Sequence, residues 1–138
     1  MRTKGFTLIE ILIAVILVGL GVAGLVGANA AFSQSNGAGV ELSTAEFLIE
    51  QIREMTTMTD FDLLHNFDEI VYSPPKDARG NDLSGFDSYS QTITVENVSG
   101  SNFENVVTDF SSDFVRVSVE VRKNSRLICS TSWLRADD

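Results

Sequence analysis

The sequence predicts an α+β chain: a long N-terminal helix followed by a small antiparallel sheet. Three patterns predict it. Residues Ile11 to Ala28 run for eighteen positions without a charged or strongly polar side chain. Leu42, Ala45, Leu48, Ile49, Ile52 and Met55 then recur at three- and four-residue steps, the spacing of one helix face. Near the C-terminus Val115, Val117, Val119 and Val121 alternate with Arg116, Ser118, Glu120 and Arg122, the period of a half-buried strand.

The first element is apolar enough to cross a membrane. A hydrocarbon core of about 30 Å needs roughly 20 apolar residues in a helix. Arg2 and Lys4 lie just before this run, and no basic residue follows until Arg53. The positive-inside rule therefore places the N-terminus in the cytoplasm and the rest of the chain across the membrane. Residues 1–5 read as a short basic leader and 6–32 as the membrane-spanning half of the helix. Gly19, Gly21, Gly24 and Gly27 interrupt the apolar side chains. In lipid such small residues let helices approach closely; they also suit a stretch that unwinds locally, and both readings stand.

After Ser35-Asn36-Gly37-Ala38-Gly39 comes the amphipathic half, residues 33–58, with Glu41, Glu46, Glu50, Arg53 and Glu54 opposite the apolar stripe. The helix either continues with a bend near Gly37 and Gly39, or breaks and restarts with a capping box of Ser43 and Glu46. Residues 59–138 form the remainder. Ser73-Pro74-Pro75, Arg79-Gly80-Asn81-Asp82 and Ser84-Gly85 are turn formers. Residues 59–90 are thus expected to be a connecting loop with a short helical turn at Leu63 and Leu64. Ile93 and Val95 begin the sheet, and Lys123-Asn124-Ser125-Arg126 turns into a partner strand from Leu127 to Leu134. Three or four strands result. The apolar helix stripe is the natural cover for the valine face, since either alone leaves hydrophobic surface in water.

With 138 residues the chain fits one small domain on an extended N-terminal element. Its net charge is −9, from 10 basic and 19 acidic residues. Setting aside Arg2 and Lys4 leaves 8 basic residues against the same 19. That surface repels nucleic acid and anionic headgroups, so no nucleic-acid partner is indicated for the C-terminal part. Cys129 is the sole cysteine, which rules out an internal disulfide, and its strand-like setting suits a small buried residue. His65 is the sole histidine, too few for a zinc site. Asp77, Asp82 and Asp87 have no EF-hand spacing and read as a solvated loop. No nucleophile, base and orienting group converge on a catalytic constellation, so no enzyme, cofactor or metal is expected.

The chemistry lies at the N-terminus. Gly5-Phe6-Thr7-Leu8-Ile9-Glu10 stands where the basic leader meets the apolar run. This resembles the prepilin signal of type IV pilins and type II secretion pseudopilins. The resemblance implies a pilin-like fold and cleavage between Gly5 and Phe6 by a prepilin peptidase. It also implies methylation of the new N-terminal Phe6 by the same peptidase/methyltransferase. Glu10 matches the family's glutamate, which pairs with the N-terminal amine of a neighbouring subunit during assembly. A charge inside a spanning segment costs a few kcal/mol even on lenient scales. An amine–carboxylate pair offsets two such charges at once; the simpler reading has Glu10 reaching to the headgroups.

The partners implied are other pilin or pseudopilin subunits, the processing enzyme and, before assembly, inner-membrane lipid. The implied location is the bacterial inner membrane and then an extracellular or periplasmic filament. The sequence departs from many major pilins in lacking a C-terminal disulfide loop and a proline in the apolar helix. It is most similar to the minor pilin group that includes PilV and to the I-type pseudopilins. Two other readings exist. Ala28-Asn29-Ala30 would allow an ordinary signal peptidase to cut before Ala31 and release a soluble domain. A single-pass anchored binding domain would also fit, but leaves Gly5-Phe6 and Glu10 unexplained.

Overall fold

The computed structural model describes residues 7–108 and 112–137. The chain has two compact units, Met1–Val40 and Glu41–Asp138.

The first unit is helical. Helix α1 spans Leu8–Met58, 51 residues, and so runs on into the second unit. Gly37, Gly39, Ser43 and Glu46 are all interior to it. The restart with a cap at Ser43 is therefore excluded, because helical hydrogen bonding passes straight through that position. The most apolar stretch of α1 has none of its residues buried. Leu8 is 85% exposed, and Ile9 through Val26 present their large side chains to the surroundings.

In the second unit α1 buries Ala45, Leu48, Ile49, Ile52, Met55 and Thr56. Leu42, expected in this stripe, is instead 43% exposed. Thr56 takes an apolar position at the other end because its hydroxyl is satisfied locally, donating to the carbonyls of Ile52 at 2.9 Å and Arg53 at 3.1 Å. After α1 comes a 3-10 turn, Phe61–Phe67, which buries Leu64. This is the short helical turn expected at Leu63 and Leu64.

The sheet has five antiparallel strands rather than three or four: β1 Ile70–Tyr72, β2 Tyr89–Ser99, β3 Asn102–Val106, β4 Phe114–Lys123 and β5 Arg126–Ala136. Their order is β1-β2-β4-β5, with β3 folding back on β2. The two extra strands are β1, three residues long, and β3, whose five residues are all exposed. Neither carries an alternating pattern long enough to read. Val115, Val117, Val119 and Val121 are fully buried with Ile93, while Arg116 and Arg122 stay on the other face. Register follows that alternation, with Ile93 opposite Val119 and Val95 opposite Val117. Each buried valine contributes about 1.5–3 kcal/mol.

The β4–β5 hairpin closes through Asn124 and Ser125, with Lys123 paired to Arg126. Both loop residues have positive φ, 48° and 68°, as a two-residue turn matching strand twist requires. Between β2 and β3 the chain passes Gly100, where a Cβ would lie 2.9 Å from the Phe114 ring. Buried Gln91 ties the layers together: its amide nitrogen donates to Leu48 O at 2.8 Å, and its oxygen accepts from the Lys76 amide at 2.8 Å.

Candidate processing and assembly site

The residues expected to carry processing, Arg2, Lys4, Gly5 and Phe6, lie outside the described residues. Description begins at Thr7, and there the site has a local geometry. Thr7 precedes the first turn of α1, and its carbonyl accepts the amides of Glu10 at 3.1 Å and Ile11 at 3.2 Å. Its hydroxyl accepts from the Glu10 amide at 3.4 Å, while the Glu10 carboxylate accepts from the Thr7 amide and hydroxyl, each at 3.5 Å. This is a capping box, a threonine with a glutamate three residues on.

Ser43 and Glu46, one of the two alternatives for the middle of the helix, are interior to α1, and the box stands at Thr7 and Glu10 instead. The sequence signal for it is Thr7-Leu8-Ile9-Glu10, which falls within the prepilin-like motif. The capping distances are at the long end for hydrogen bonds, so the carboxylate is held lightly. It also sits at the positive end of the helix dipole, which favours a negative charge there.

Glu10 is the only acidic side chain before Glu41. It is exposed, as are all the apolar residues around it. Farther along α1, a Cβ at Gly19, Gly21, Gly24 or Gly27 would meet nothing within 4 Å. Among the described residues no contact explains why those positions are small. An uncovered apolar surface of this extent marks lipid or a protein partner.

Other candidate groups have structural partners. Asp77 accepts from the amides of Arg79 at 2.9 Å and Asn81 at 2.8 Å, and Asp82 pairs with Lys76 at 2.8 Å. The bonds from Asn81 come first among the causes holding the Asp77 carboxyl below its ordinary value. Among the described residues no group of three or more His, Cys, Asp and Glu side chains is placed to hold a metal ion. Cys129, expected to be buried, is only half-buried on β5, which among the described residues has a neighbouring strand on one side alone.

Glu41, where the second unit begins, accepts from Lys123 at 2.9 Å and from Arg126, the two ends of the β4–β5 turn. The Lys123 bond is the largest cause lowering the Glu41 pKa, and the same bond raises that of Lys123. Lys123 also lies 5.4 Å from the centre of the Tyr89 ring. At the other end, Arg135 donates to the Thr56 carbonyl near the C-terminus of α1, which has no basic residue in its own last turn.

Residues 1–26 match the family described as the Prokaryotic N-terminal methylation motif. No curated protein and no solved structure matches the chain. The chain therefore carries a type IV pilin-like prepilin signal, followed by a long helix and a five-stranded antiparallel sheet in a pilin-like α+β arrangement. Proteins with this signal are structural rather than enzymatic.

Proposed function

We propose that the chain is a filament subunit, a minor pilin or pseudopilin of a type IV pilus or type II secretion-like system, and not an enzyme. The observation that carries this reading is the methylation motif at residues 1–26 leading directly into a helix whose apolar stretch is entirely unburied. A helix of that kind needs lipid first and a protein environment in an assembled fibre afterwards.

In this reading residues 1–5 form the leader, 6–32 the membrane and assembly half of the helix, and 33–58 the half that covers the sheet of residues 59–138. Arg2 and Lys4 hold the N-terminus in the cytoplasm, leaving the C-terminal part on the far side of the inner membrane. Prepilin peptidase cuts between Gly5 and Phe6 and methylates Phe6. Cleavage creates an amine four residues before Glu10. The amine of one subunit and the Glu10 carboxylate of its neighbour then neutralise each other away from water. The lightly held capping box suits that role, because moving the carboxylate to an incoming amine gives up only long hydrogen bonds.

The test is a Gly5→Val substitution in the full-length precursor. The expected result is an uncut protein retained in the membrane, with no subunit in sheared filaments. Normal cleavage of that variant contradicts the reading.

A further inference from the structure

The segment from Lys76 to Asp82 is held at nearly every position. Besides the two amides already described, Asp77 accepts from Asn81 Nδ2 at 3.0 Å, and its own amide donates to the Asn81 carbonyl at 2.9 Å. Lys76 Nζ donates to Gly80 O at 3.1 Å and to Asp82 at 2.8 Å. Gly80 adopts a φ of +84°, which closes the turn at no steric cost to a residue without Cβ. The Ala78 amide donates to Gln51 Oε1 at 3.2 Å, so the loop is tied to α1 between Glu50 and Glu54.

This loop displays Arg79. It is exposed, and among the described residues its side chain makes no ion pair or hydrogen bond, though its charge is one of the influences that hold the Asp77 carboxyl low. The other described lysines and arginines are all engaged. Arg53, Lys76, Arg116 and Arg122 pair with Glu50, Asp82, Glu96 and Glu120. Lys123 and Arg126 share Glu41, and Arg135 caps α1. On the same helix Glu46, Glu50 and Glu54 recur every four residues on an exposed face, and of the three only Glu50 has a cation. Stacked like charges at this spacing repel, so the stripe is favoured by an incoming cation.

We infer that Arg79 is an intersubunit contact residue that docks on the Glu46–Glu54 stripe of a second copy of this chain. The inference rests on the assembly reading above. Charge complementarity selects the occupant: without the leader each copy has 8 basic against 19 acidic side chains and repels the others over most of its surface, yet it holds both a guanidinium without an ion pair and an acidic stripe in which only Glu50 has a cation. The bonds of Asp77, Lys76 and Ala78 already order the loop backbone, so docking has only the Arg79 side chain left to order there. A guanidinium with its planar fork of donors can bridge two carboxylates of such a stripe.

The test uses full-length protein carrying two different epitope tags, co-expressed in its host, with cross-linked dimers recovered from membranes and filaments. Arg79→Glu should lower the yield of mixed-tag dimer about threefold or more, and so should Glu46→Arg with Glu54→Arg. Co-expressing the two variants should restore it. Arg79→Gln, which removes the charge without adding another, should give an intermediate loss. Raising salt should lower the wild-type yield more than that of Arg79→Gln. An Arg79→Glu yield equal to wild type, or no recovery in the mixed pair, overturns the inference while leaving assembly intact. A wild-type chain that gives no dimer overturns the assembly reading as well.

Discussion

Glu10 carries two roles that share one carboxylate. It caps its own helix with Thr7, and by our proposal it later receives a neighbour's amine. Glu10→Val removes both. Because Glu10 is not one of the two residues at the proposed cut, Gly5 and Phe6, processing of that variant should stay normal while incorporation into filaments falls at least tenfold, as quantified by immunoblot of sheared fibres. Unchanged incorporation rejects the pairing role. Thr7→Ala removes only the cap and should cost helix stability of about 1 kcal/mol, seen as fraying of the first turn in amide exchange. Glu41 makes a different prediction. Its pKa is held below the ordinary 4.5, first by the hydrogen bond from Lys123. A depressed carboxylate adds stability above its unfolded value and loses it as pH falls through the folded one. The Tm of the full chain in detergent should therefore fall below about pH 4.5, and Glu41→Gln should lower Tm at neutral pH and flatten that part of the profile. A parallel profile for the variant contradicts this account of Glu41.

At the scale of elements, burial decides which patterns could be read. The valines of β4 were legible because four alternate residues face one core. The two-residue turn after them was legible from its asparagine and flanking strands. By contrast β1 and β3 have little inward face, and strands recruited by a neighbour's free edge leave no period of two. The helix stripe was legible to within a turn at each end. It failed at Leu42, which is exposed although its neighbour Glu41 already bonds the β4–β5 turn, and at Thr56, whose hydroxyl bonds back to its own helix. The core should respond to truncation accordingly. Ile52→Ala, on the fully buried helix face, should cost about 2–5 kcal/mol in denaturant unfolding, whereas Leu42→Ala should cost less than 1. Equal losses would mean that the two positions share a common environment.

At the scale of the whole molecule, the chain divides its chemistry along its length. The N-terminal unit has an apolar surface that no part of the described chain covers, and the C-terminal unit completes its own core. The functional signal was legible because it is a string of adjacent residues at the start of the chain. The contact residues of the second unit were not, because Arg79 stands out only once the partners of the other cations are known. The proposed processing pathway is tested by intact mass and N-terminal sequencing of the protein from its native host. The expected result is a mature chain beginning at N-methylated Phe6. A chain beginning at Ala31, or an uncut chain beginning at Met1, would contradict it.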